Sequence, residues 1–293
     1  MTATTRTMGS AYMEWVKTNT DVTFNLANSG VKNYPLSCLP VDFDALTLSG
    51  RGAYGYPPLI AAIAAKCGVE QECVATAQGT SMANHLAMAA VIHPGDHVLI
   101  ERPAYPLLSE TAEYLGANVN YFNRRAEAKF AIDLDSLQAA ITRKTRLIAI
   151  TNLHNPSCAL TGENTLRQVG ELARAAGAGI LVDEVYLDLL FENSPETAFK
   201  LGSEFIVTNS LTKVYGLSGL RCGWVLAEPE LIRKIYRLND LFAVNNPYLT
   251  DQVSWTAFAH LDKVAHWTKE LLDNNRALAN EFVAATWIVN RSK

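Results

Sequence analysis

The sequence predicts an α/β fold of three layers, with a mainly parallel sheet between helices. Three observations carry this reading. Short apolar or β-branched runs recur through the middle of the chain, too continuous for strands with one wet face. Helical stretches separate several of them, as crossovers between parallel strands must. No internal repeat or low-complexity tract offers a different architecture.

The elements follow in order. Residues 1–57 read as irregular, with Asn, Ser, Pro and Gly throughout. The stretch PLIAAIAAKCG from Pro58 reads as a short helix stopped by Gly68. Ser81 to Val91 reads as an Ala-rich helix stopped by Pro94-Gly95. HVLI from His97 is a short apolar strand, and Asn118 to Phe122 a weaker one. TRLIAIT, Thr145 to Thr151, is the run expected of a strand buried on both faces. Thr165 to Ala176 is an amphipathic helix with Leu166, Val169, Leu172 and Ala173 on one side. GILVD from Gly179, EFIVTN from Glu204 and CGWVLA from Cys222 complete the strands. Glu230 to Ala285 turns helical, and WIV from Trp287 looks like the start of one more strand.

The 293 residues allow about two domains at ~150 residues each. Hydrophobic residues make up 49% and charged residues 18%, which argues against wholesale disorder. A formal charge of -4 gives no global attraction to nucleic acid or to an anionic membrane surface. The longest apolar run, Ala83 to Ile92, is interrupted by Asn84 and His85 and is too short to span a bilayer. The first fifteen residues lack the apolar core of a secretory signal. Five cysteines without CxxC spacing argue for a reducing, cytoplasmic setting rather than a disulfide framework. The six histidines lack acidic or cysteine partners at ligand spacing, so no metal site is expected.

In open α/β sheets, ligands sit beyond the carboxyl ends of the strands. After TRLIAIT comes Asn152-Leu153-His154-Asn155-Pro156-Ser157. After GILV come Asp183 and, three residues on, Tyr186. After EFIVTN comes Ser210-Leu211-Thr212-Lys213, then a stretch to Arg221 and Gly223. Each alone has an ordinary explanation: a turn starter, a helix cap, a solvated lysine. Their coincidence at consecutive strand ends marks a site. Gly50 to Gly55 matches GxGxxG, but no apolar strand precedes it and Pro57-Pro58 follow, so it is no dinucleotide fingerprint.

The pattern S-x-x-K-x-x-G-L-x-G-x-R-x-G, from Ser210 to Gly223, resembles the cofactor-lysine signature of class I/II aminotransferases, the fold-type-I pyridoxal-phosphate (PLP) enzymes. The N-P-[ST] turn and D-x-x-Y lie upstream in the family's order, as do Gly79-Thr80-Ser81 and Pro103-Ala104-Tyr105. The resemblance implies that Lys213 holds the cofactor covalently and moves a proton at the substrate Cα. It implies that Asp183 pairs with the pyridine nitrogen, that Tyr186 and Asn155 hydrogen-bond the phenolic oxygen, and that Tyr105 stacks on the ring. Gly79, Thr80 and Ser81 open a helix whose free N–H groups suit a phosphate, and Ser210 and Arg221 would complete that cradle. Tyr54 would reach the phosphate of a neighbouring subunit, making a homodimer. Gly30 would face the substrate carboxylate, with Asn155.

The implied organisation is an N-terminal segment (1–45) serving the small domain and substrate site, a PLP-binding large domain (46–245), and interdomain helices with the start of a truncated small domain (246–293). Two departures stand out. Cys158 occupies a position where the family commonly has Gly, at a steric cost if φ is positive. No room remains after Trp287 for the family's small domain and its carboxylate-clamping arginine, so substrate binding is expected to be poor. The activity implied is transfer of an amino group between an amino acid and a 2-oxo acid. A β-lyase of the same fold, or a cofactor-binding but inactive remnant, are the alternatives.

Overall fold

The structure is a computed structural model that describes residues 7–25, 27–51 and 54–285. The strand expected at Trp287 lies outside these residues. Seven strands form one sheet in the order β1-β7-β6-β5-β4-β2-β3. They are β1 (Val74–Gln78), β2 (His97–Arg102), β3 (Asn118–Asn123), β4 (Thr145–Thr151), β5 (Gly179–Asp183), β6 (Phe205–Ser210) and β7 (Cys222–Leu226). The run from β3 to β6 is parallel, and β7 is antiparallel to both β6 and β1.

Side chains alternate across each central strand and so supply two cores. Ile148 and Ile150 of β4, Ile180 and Val182 of β5, and Phe205 and Val207 of β6 face one side. Leu147 and Ala149, Leu181, and Ile206 face the other. The second face is covered by α3 (Gly79–Val91), α4 (Pro106–Tyr114) and α7 (Pro229–Asn239), through Leu86, Met88, Leu108 and Ile232 among others. The first is covered by α2 (Pro57–Cys67), α5 (Leu134–Ala140), α6 (Glu163–Ala176), α8 (Tyr248–Phe258) and α9 (Leu261–Ala285). Each fully buried Leu or Ile contributes roughly 1.5–3 kcal/mol by leaving water, which is why the two faces hold the helices in place.

Two expectations are corrected. Residues 1–57 are not wholly irregular: α1 (Ala11–Thr18) starts at Ser10, whose hydroxyl accepts from the Met13 N–H at 3.2 Å. None of its residues is buried, so no apolar stripe announces it. The strand β1 was also unforeseen. VATAQ is short, three of its five residues being alanine or threonine, and its identity comes from pairing with β7 rather than from its own propensity. The helices α4 and α5 are further additions.

Candidate active site

The site begins at Asp183, the last residue of β5, which is buried on the α3 side of the sheet. Its Oδ2 accepts from Asn84 Nδ2 at 2.8 Å and its Oδ1 from the Val185 N–H at 3.0 Å. Thr208 of β6 donates to Asn84 Oδ1 at 2.6 Å. That second bond fixes the amide orientation, since only its NH2 end then remains to face the carboxylate. Burial pushes the Asp183 pKa up to about 6, against the pull of Asn84, the Val185 N–H and Lys213. An acid held this way is ready to pair with a cationic group entering the cavity.

Lys213 lies beyond the end of β6. Its ammonium donates to Ser29 Oγ at 2.8 Å. Burial lowers its pKa and Arg221 lowers it further, while Asp183 raises it. Tyr186 donates to the Ser29 carbonyl at 3.0 Å, so one N-terminal residue meets two sheet-edge side chains. The Asn155 backbone N–H is fixed on Thr151 Oγ1 at 2.7 Å. Tyr105 lies at the start of α4, its hydroxyl on Met13 Sδ at 3.6 Å and its ring edge-on to Tyr12. Burial raises its pKa to about 12.

A further group lies at the N-terminus of α3. Gly79 has φ +77°, and a Cβ there would overlap the Arg221 guanidinium. A Cβ at Gly223 would in turn overlap the Gly79 backbone. The two glycines let Arg221, itself at φ 50°, lie against the first turn of the helix. Arg221 donates to the Gln78 carbonyl at 3.2 Å and the Ser218 carbonyl at 3.3 Å. Thr80 donates to Ser210 Oγ at 2.8 Å, joining helix to strand end. A cationic side chain, hydroxyls and a helix N-terminus together suit a phosphate.

One cavity of about 460 Å³ collects Thr80, Ser81, Tyr105, Asn155, Asp183, Tyr186, Lys213 and Arg221. Gly79 and Ser210 support its walls from behind. Gly30 lies beside it, lining a neighbouring cavity with Ser29, Tyr186 and Lys213. Tyr54 does not line the cavity of its own chain: its hydroxyl donates to Asp240 at 3.1 Å and its ring packs on Tyr236. Cys158 has φ 60°, the strained conformation expected of a residue replacing glycine. Sequence reasoning missed Asn84, Thr208 and Ser29. Asn84 had a signal, as a polar residue interrupting an apolar helix.

Size alone does not select this site. A cavity of about 720 Å³ opens on the other face, around Lys66, Glu184 and Asp188. These three charged groups meet each other, a tyrosine or the backbone. Lys66 meets Asp188 at 3.0 Å, Tyr215 donates to Asp188 at 2.9 Å, and the Ala198 N–H donates to Glu184 at 2.8 Å.

The family model for aminotransferase class I and II matches residues 44–292. The chain belongs to the class I and II aminotransferase family. Its fold is that of the fold-type-I PLP enzymes, and the cofactor of the family is pyridoxal 5'-phosphate. Among its relatives is capreomycidine synthase of Streptomyces vinaceus, 30% identical over 89% of this chain and 70% of that protein. Histidinol-phosphate aminotransferase of Moorella thermoacetica is 31% identical over 79% of this chain, which spans 60% of that protein. The crystal structure of a PLP-dependent aminotransferase from Streptococcus suis superposes with a TM-score of 0.87 at 26% identity, covering 94% of this chain and 77% of that one. The donor set fits the family's cofactor: a lysine and a buried carboxylate share a cavity whose one end is built for a phosphate.

Proposed function

We propose that this aminotransferase-family chain moves an amino group between an amino acid and a 2-oxo acid. The observation that carries the reading is the convergence of Lys213 and Asp183 in a single cavity with the N-terminus of α3. Bound there, pyridoxal phosphate supplies an electron sink for the substrate's Cα electrons. Asp183, oriented by Asn84, keeps the pyridine nitrogen protonated. Tyr186 and Asn155 donate to the phenolic oxygen, and Tyr105 covers the ring face. Thr80, Ser81 and Arg221 hold the phosphate, with Gly79 and Ser210 supporting Arg221 and Thr80. Lys213 Nζ would hold the cofactor, and in its free form it would take the proton from the substrate Cα, its lowered pKa leaving more of it in the basic form. Gly30 and Asn155 face the substrate carboxylate.

The working unit in this proposal is a cytoplasmic homodimer in which Tyr54 reaches the partner's phosphate. The half-exposed Tyr54, with Leu241 and Phe242 exposed nearby in sequence to its Asp240 partner, supports a covered surface there. Free cysteines throughout the described residues support a reducing compartment.

The test is an absorption spectrum with added PLP, compared with Lys213→Ala, followed by an amino-acid panel. A visible band lost in the variant, with stoichiometric 2-oxo acid formation, is the expected result. Bands that match in both proteins remove Lys213 from its role. A second reading is a β-lyase of the same fold, favoured by one observation: a relative matched over 89% of this chain is named a synthase and not an aminotransferase. Release of ammonia and pyruvate from a substrate with a β leaving group would select it.

A further inference from the structure

Asn155 and Tyr105 stand on two different loops, one after β4 and one after β2. The residue between those loops is His154, buried to 1% exposure. Its Nε2 lies 2.8 Å from the Pro103 carbonyl oxygen. A carbonyl can only accept, so Nε2 carries the proton. Nδ1 lies 2.6 Å from Ser157 Oγ, which donates to it when the ring is neutral. Both ring nitrogens are thus used. Burial and the nearby Arg124 guanidinium both push its pKa below the usual histidine value. The Phe130 ring packs over the imidazole at 5.6 Å.

The same residue closes its own turn. The His154 N–H donates to the Ala159 carbonyl at 2.9 Å, and its carbonyl accepts from the Cys158 N–H at 2.7 Å. Ser157 Oγ also accepts from the Ala159 N–H at 3.2 Å. From the strand side, Thr151 holds the Asn155 N–H and donates its own hydroxyl to Glu101 at 2.6 Å. Glu101 is in turn paired with Arg124 at 2.7 Å. What Thr151 does not fix is the spacing between this turn and the Pro103–Tyr105 loop. The imidazole reaches across, from the Asn155 turn to the Pro103 carbonyl.

We propose that His154 is a positioning residue of the cofactor pocket, a strut that braces the Asn155 turn against the Pro103–Tyr105 loop. It thereby holds the Asn155 amide at the ring's phenolic edge and the Tyr105 ring over its face. The inference rests on the PLP reading above and deepens it. A donor on the phenolic oxygen stabilises the deprotonated form, so loosening Asn155 raises the pH midpoint of the visible band.

The variants are His154→Phe, which keeps the ring and its packing on Phe130, and His154→Gln, which keeps a donor near the Nε2 position. His154→Phe is expected to raise the midpoint by at least about half a pH unit and to weaken PLP binding about tenfold. His154→Gln should restore most of both. Combined with Asn155→Ala, His154→Phe should add little further midpoint shift, since both act through the same amide. Ser157→Ala, which removes the Nδ1 partner, should shift the midpoint the same way by less, and it decides the matter if His154→Phe does not fold. An unchanged midpoint and PLP affinity in His154→Phe, or in Ser157→Ala where that must stand in, overturns the proposal. So does full additivity with Asn155→Ala. A wild-type protein with no Lys213-dependent band takes down the PLP reading and this inference together, whereas a normal wild-type band with an indifferent His154→Phe takes down the inference alone.

Discussion

Asp183 and Glu184 are adjacent, both buried, and aimed at opposite faces of the sheet. Burial raises both, Asp183 to about 6 and Glu184 to about 7. Asp183 meets an asparagine, a nearby lysine and an open cavity. Glu184 meets the Ala198 N–H and closes a short 3-10 turn, Ala198–Leu201. A perturbed acid in a cavity wall is thus not enough to mark chemistry here. The partners it can offer to something entering the cavity make the difference.

The largest expected effect tests that contrast directly. Asp183→Ala should lower the turnover of the PLP-loaded protein by at least ~10²-fold. Glu184→Ala should leave turnover per folded molecule near wild type. Equal losses in both would erase the distinction drawn between the two faces.

The next effect concerns what the two acids share. Each has a folded-state pKa above its ordinary value, so between those values the folded protein binds more protons than the unfolded chain. Lowering the pH from 8 towards 5 should therefore favour folding of the cofactor-free protein through each acid, by roughly 2 kcal/mol, while His85 and His154, whose pKa values burial lowers, act in the opposite sense. Melting temperatures of wild type and Glu184→Gln across that range check it: the variant should lose the Glu184 share of the slope near pH 7 and keep that of Glu101, and identical slopes would contradict it.

A smaller effect isolates the structural role. At pH 5.5, where Glu184 is neutral in the folded protein, Glu184→Ala still orphans the Ala198 N–H and should cost about 1–3 kcal/mol in urea unfolding. The smallest lies in the cofactor turn. Cys158→Gly relieves a left-handed conformation and should stabilise by about 1 kcal/mol without altering PLP affinity.

Much of this was legible in the residues. The strands β2 and β4 to β7 announce themselves as apolar runs and β3 more weakly, and Lys213, Asp183, Tyr186, Asn155 and Arg221 sit where strand-end rules and the lysine signature place them. The strand β1 and the helix α1 were not legible. One is made a strand by its neighbour, and the other has no buried face. The partners of Asn84 and Ser29 were hidden for a different reason. Asn84 meets Asp183 across 99 positions and Ser29 meets Lys213 across 184, and no local pattern encodes such a meeting.

The amino-acid order by itself determined the layered fold, the family and the kinds of side chain available at the sheet's edge. These follow from local periodicity and from a motif read in one stretch of chain. Only the tertiary structure decided which of two neighbouring acids faces the lysine, which asparagine orients it, and that His154 spans two loops. Those choices depend on the strand pleat and on packing between distant segments, where a displacement of one residue would turn every side chain to the other face.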